Sequence, residues 1–122
     1  MVKVRRKGKD GELELVRLIK ANGYKARRTA QYCGKTGEAA DVIGLPGIFI
    51  ECKRVENLNI NNAMAQATHD AEAAGRGDLP VVFHRKSYCP WLVTMSADSF
   101  FAIYREWEAA RNGQDKADGG AD

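Results

Sequence analysis

The residues best suited to chemistry lie in one stretch, 40–54, with the sequence ADVIGLPGIFIECKR. Side chains alternate along a strand, so Ile48, Ile50 and Cys52 share one face while Phe49, Glu51 and Lys53 share the other. One face is core; the other carries an acid and a base. Leu45-Pro46-Gly47 marks a tight reversal. A three-residue loop, with a type I turn followed by a left-handed Gly47, pairs Gly44 with Ile48, Ile43 with Phe49 and Asp41 with Glu51. Directly opposed side chains have Cβ atoms about 4.5–5.5 Å apart, where two like charges weaken a sheet. A divalent cation removes that penalty, and Mg²⁺ favours one or two carboxylates completed by waters and phosphate oxygens. Such an ion polarises a phosphodiester and acidifies a bound water, with Lys53 available to orient that water or to stabilise charge developing on phosphate; the outcome is hydrolysis. The competing reading is a wet surface hairpin in which Glu51 pairs locally with Lys53 or Arg54. A two-residue loop, which sets Asp41 against Ile50, leads there.

A third acid bears on the choice. At about 100° per residue, Glu12 falls in the middle of the arc drawn by Leu13, Leu15, Val16, Leu18 and Ile19, while Glu14 falls nearly opposite, toward solvent. A carboxylate in an apolar stripe is costly unless it is paired or holds a metal. Glu12 then joins the ion's shell or a second ion. The alternative is a wet first-turn acid that interacts only with the helix N-terminus.

The elements that must position these groups follow from pattern. The chain has 122 residues, room for one domain, and 44% hydrophobic with 29% charged residues is the composition of a globular protein. No run nears the roughly 18 apolar residues of a membrane span, and the basic start MVKVRRKGKD is followed by no apolar signal region. Cys33, Cys52 and Cys89 are an odd number at spacings that fit neither a disulfide framework nor a zinc knuckle, so a reducing cytoplasm is expected. Residues 1–9 read as a flexible basic arm, 10–111 as the domain and 112–122 as a disordered tail. Within the domain, helical spacing over 10–22 precedes strands over 24–30, 39–44 and 48–54. An Ala-rich helix from Ile60 to the glycines at 75 and 77 follows, then strands over 79–84 and 91–95, and a last helix over about 97–110 anchored by Phe100, Phe101, Ile103, Tyr104 and Trp107. The order is α-β-β-β-α-β-β-α.

Charge is divided along the chain. Residues 1–35 hold eleven Lys and Arg against three acids, and the remainder eight against thirteen. One strongly positive surface suggests a polyanion partner, with a solvated face as the bland alternative.

Together, the opening RKGKDGELELVRLIKANGY, the pair ADVIG and IFIECK, and the later PVVFHRK and WLVTM resemble the PD-(D/E)XK nuclease superfamily, and within it archaeal-type Holliday junction resolvases and their phage relatives. The likeness spans roughly residues 6–95. It implies a restriction-endonuclease-like α/β fold, a mixed five-stranded sheet flanked by helices, with Mg²⁺ or Mn²⁺ as cofactor and a homodimer that cuts branched DNA in a bacterial or archaeal cytoplasm, encoded by the cell or by a phage. Carried over residue by residue, the helix-one glutamate is Glu12, the motif aspartate Asp41 and the E-x-K pair Glu51 and Lys53, with Asp41, Glu51 and Glu12 as metal residues. The proline that often precedes the motif aspartate is Ala40 here. The loop that often bears a catalytic serine offers only Thr29, Thr36 and Tyr32. Gln66 in the second helix resembles a Gln-Ala pair of the phage relatives and is a candidate contact to water or to the scissile phosphate, against a plain polar flank of the alanine stripe. Candidate DNA contacts are Arg5, Arg6, Lys7, Lys9, Arg27, Arg28, Lys35, Arg54, Arg85 and Lys86. His69 is expected to be exposed, Cys52 a core residue, and Trp91 and Trp107 core or dimer anchors. Other nucleases of the same fold, and a non-catalytic DNA-binding module, are the alternative readings.

Overall fold

A computed structural model describes the backbone of residues 2–29 and 40–119, and the side chains of 8–29 and 40–114. The elements are α1 (Val2–Ala21), β1 (Arg27–Arg28), β2 (Val42–Ile43), β3 (Ile48–Arg54), α2 (Ile60–Ala74), β4 (Leu79–Arg85), β5 (Leu92–Met95) and α3 (Ala97–Gly119). Their order is the expected α-β-β-β-α-β-β-α, and the five strands form one sheet in the order β1-β2-β3-β4-β5. The sheet is mixed: β3 and β4 run parallel across the α2 crossover, and the other pairs are antiparallel.

Strand parity divides the core. Ile48, Ile50 and Cys52 of β3 face α1 and join Leu15, Val16, Ile19, Ala26 and Val42. Phe49 faces the other way, against Ala71 of α2, and Val82 of β4 meets Ala63 and Ala67 on that side. α2 is bounded by its caps. Asn59 accepts from the Asn62 N–H at 3.0 Å, and Gly75, at φ 68°, closes the far end.

Val42 pairs with Ile50, the register that sets Asp41 across from Glu51. The turn that produces it differs from expectation. Leu45 C=O accepts from Ile48 N–H at 3.0 Å, with Pro46 and Gly47 in the central positions and Gly47 at φ 90°, the pattern of a type II turn. The remaining residue is absorbed at Gly44, whose φ of 144° has no room for a side chain: a Cβ there would lie 2.6 Å from Lys25 O and 2.7 Å from Ala26 Cα. The turn and its close approach to the β1 segment fix the pairing together.

Two boundaries also differ. α1 begins at Val2, so the segment expected as an arm is helical; its Lys and Arg residues are good helix formers and propagate the helix upstream of its anchored half. α3 continues to Gly119, where 112–122 was expected to be a disordered tail; only Gln114, Lys116 and Ala117 of that extension are good helix formers, so local propensity does not explain it. Gly11 is buried in α1, and a Cβ on it would meet Arg54 Cβ at 2.8 Å, so the helix lies hard against β3 at that point.

Two glycine substitutions are expected to act in opposite directions. Gly44→Ala should lower the unfolding free energy by about 1–3 kcal/mol, the usual cost of a strained backbone position. Gly8→Ala, in a helix with open space around it, should raise stability by up to about 1 kcal/mol. Urea titration measures both, and an unchanged Gly8→Ala midpoint would contradict helix at that position.

Candidate active site

The site is built where β2 begins. The ladder of β2 is two residues long, so the next β3 donor, the Cys52 N–H, has no backbone acceptor opposite it and donates instead to Asp41 Oδ2 at 2.8 Å. Asp41 N–H donates to Ile50 O at 3.0 Å. These two bonds pin the aspartate over the strand. Glu51, in the middle of β3, is 7% exposed and lies on the α2 face of the sheet by strand parity. Two acids therefore share one end of a mostly buried surface.

Their electrostatics show the strain. Burial pushes the Asp41 carboxyl from 3.8 up to about 6, opposed by its bond to the Cys52 amide; Glu12 and Asp70 raise it further and Lys53 draws it down. Burial, then the neighbouring Asp41 charge, pushes Glu51 from 4.5 up to about 7, against a smaller opposing pull from Lys53. Lys53 Nζ stands 3.7 Å from Glu51 Oε2, a loose contact that leaves most of the negative charge uncompensated.

Not every expected member joins. Glu12 lies close enough for its charge to raise Asp41, yet its Oε1 accepts from Arg28 Nε at 2.8 Å. Among the described residues, no three His, Cys, Asp or Glu side chains gather closely enough to hold a metal ion between them. The three acids are thus a pair, Asp41 and Glu51, with Glu12 held at its edge. Two carboxylate donors fit a hard divalent cation that completes its shell with water and phosphate.

Asp70 was missed from sequence. It is 8% exposed, and Gln66 Nε2 donates to both of its oxygens at 3.1 and 3.0 Å. Its charge acts on both Asp41 and Glu51. The signal was available: Asp70 lies three residues from Ala67 and four from Ala74, within the apolar stripe of α2, the same anomaly that singled out Glu12. The expected Gln66 is therefore the partner of a buried acid.

The basic residues divide by partner. Glu14, expected beside solvent, is partly buried and bridges Arg54 Nε at 2.9 Å and Arg85 Nη1 at 2.7 Å, so it ties α1 to the ends of β3 and β4. The tight seat of Gly11 brings it there. Arg28, Arg54 and Arg85, expected to contact DNA, are thus held in internal ion pairs. Lys9, Arg27 and Lys86 are exposed. Arg5, Arg6 and Lys7 lie on α1 with their side chains outside the described residues, and Lys35, Thr36 and Tyr32 lie outside them altogether. Cys52 is buried, and burial raises its thiol well above the usual range. His84 Nε2 is 2.8 Å from Thr94 Oγ1, and His69 is exposed. No described helix is long and apolar enough to cross a membrane.

No family model matches the chain, and no curated protein does. Among solved structures it is similar to Archaeoglobus fulgidus Hjc, a Holliday junction resolvase from an archaeal hyperthermophile, at a TM-score of 0.54 and 21% identity, covering 73% of this chain and 72% of that one. The chain therefore shares the fold of that structure, here a mixed five-stranded sheet flanked by helices.

The raised carboxyls carry a pH signature. Their folded values, about 6 and about 7, lie above the unfolded 3.8 and 4.5, so the folded state binds protons more tightly. In chelator, stability should fall as pH rises from about 4 to about 7.5, by up to about 3 kcal/mol for each acid, and then level off. Asp41→Asn, which keeps an acceptor for the Cys52 amide, should flatten that slope. Thermal melts across the range check it, and an equal slope in the variant would contradict the pairing.

Proposed function

We propose that the chain is a metal-dependent endonuclease that hydrolyses phosphodiesters of branched DNA, as a homodimer resembling a Holliday junction resolvase. The observation that carries this reading is the buried Asp41 and Glu51 pair beside Lys53, on a fold that a known resolvase shares. Asp41 and Glu51 would hold Mg²⁺ or Mn²⁺. When bound, the ion supplies a Lewis acid for the phosphate and lowers the pKa of a water.

The chain's own groups do the rest. Asp41 is fixed by the bond that its Oδ2 accepts from the Cys52 amide. Glu51 is held rigid in mid-strand. Lys53 brings a positive charge to the phosphate side of the pair, where it stabilises negative charge as it develops. Asp70 orients Gln66, and Arg28 orients Glu12 at the margin. Of the expected DNA contacts whose side chains are described, Lys9, Arg27 and Lys86 are exposed to phosphates. Contacts of that kind read the course of the backbones rather than base sequence, and they weaken with salt. Cutting two opposed strands needs two sites in one complex, hence two copies.

The test compares a synthetic four-way junction, a linear duplex and a single strand, each with Mg²⁺ or with EDTA. Symmetric nicks in the junction alone, only with metal, are expected. Asp41→Ala and Glu51→Ala should each reduce cleavage by at least about 100-fold, and Lys53→Met by about 100- to 1,000-fold, with junction binding retained. Cleavage of all three substrates would support a general nuclease of this fold, and binding without cleavage a non-catalytic module. Normal cleavage by the Asp41 and Glu51 variants would overturn the site.

A further inference from the structure

The last helix projects from the domain. Of its first two turns, Ser99 is buried and Ala102 partly so, but every residue from Ile103 to Gln114 is exposed. An isolated helix of that length is marginal in water and depends on packing for its stability. Its exposed face is also strongly apolar. Phe100, Phe101, Ile103, Tyr104 and Trp107 are between 38% and 52% exposed. The rings form a continuous ladder: Phe101 meets Phe100 edge-on at 5.4 Å, Phe100 stacks on Tyr104 at 6.0 Å, and Tyr104 meets Trp107 at 5.4 Å. The Arg111 guanidinium caps it, 4.9 Å from the Trp107 ring.

The spacing of this ladder identifies what covers it. Ala97, Phe100, Tyr104, Trp107, Arg111 and Gln114 recur at intervals of three and four, the seam by which helices pair with helices. The surface on offer also suits a dimer. The five large side chains expose roughly 400–500 Å² of apolar area. An interface of about 800 Å² per partner, about two-thirds apolar as in homodimers, needs about that much. Charge chooses the direction. A parallel pair would set Arg111 against Arg111 on the seam, whereas an antiparallel pair centred near Tyr104 sets Arg111 across from Ala97 and lays Phe100 and Phe101 of one copy against Trp107 of the other.

We infer that α3 is the element that joins two copies of this chain, as an antiparallel helix pair with its two-fold axis near Tyr104. The inference takes from the proposed function only the expectation of two copies. It rests otherwise on the uncovered seam, so it stands or falls apart from the Asp41 and Glu51 site.

Sedimentation of the full chain, over about 1–100 μM, should give a dimer. Phe101→Glu combined with Trp107→Glu should give a monomer whose urea transition stays cooperative, since these side chains lie outside the buried core. In a Cys33→Ser, Cys89→Ser background, Tyr104→Cys should link two copies on oxidation, and Gln114→Cys, far from the axis, should not. A monomeric wild-type chain, a dimer indifferent to the paired glutamates, or linkage by Gln114→Cys would each overturn the inference. A dimer that cuts no junction counts against the nuclease reading alone, and a monomer that cuts one counts against the helix pair alone.

Discussion

The pairing of Val42 with Ile50 is the constraint from which the site follows. It carries Asp41 to a position across from Glu51, and a slip by one residue would turn every β2 side chain to the wrong face. Backbone geometry rather than side-chain attraction enforces the register. The Pro46-Gly47 turn closes the hairpin, and Gly44 passes so near Lys25 and Ala26 that no other residue fits. The fold can therefore oppose two carboxylates that repel each other. Burial raises both acids, and the Asp41 charge raises Glu51 further, a cost that a divalent cation between them would relieve.

The helices hold this hairpin in place with polar contacts at its margins. α1 is drawn onto β3 at Gly11, and Glu14 then reaches Arg54 and Arg85, tying one helix to two parallel strands. Both ion pairs are partly shielded from water, where Coulomb attraction is less screened than at an open surface. Glu12 with Arg28 closes the β1 side, and Asp70 with Gln66 closes the α2 side. Three arginines that read as contacts for a polyanion, Arg28, Arg54 and Arg85, instead hold the scaffold together through Glu12 and Glu14 of α1.

Much of this was legible before any coordinates. β3 and α2 begin and end where the alternation, the alanine stripe and the glycine stop place them, because each pattern is long and bounded by strong signals. The opposition of Asp41 and Glu51 was legible as one of two registers; the close approach of Gly44 to Lys25 and Ala26, which helps to fix it, was not. What escaped were contacts that tertiary packing decides. Helical angle alone set Glu14 toward solvent; the edge of the sheet lies there instead. Asp70 hid among alanines that read as plain core, and the pairing of Arg28, Arg54 and Arg85 depends on where α1 crosses the strands. The extent of α1 and α3 escaped because charged residues suit both a helix and a solvated tail.

Anomalous diffraction from crystals grown with Mn²⁺ at pH 8 would show whether Asp41 and Glu51 hold a cation. A metal peak is expected beside the two carboxylates on the α2 face of the sheet, lost in an Asp41→Asn, Glu51→Gln protein. Crystals with Asp41 and Glu51 on opposite faces of the sheet, or with no metal near either carboxylate at millimolar Mn²⁺, would contradict it.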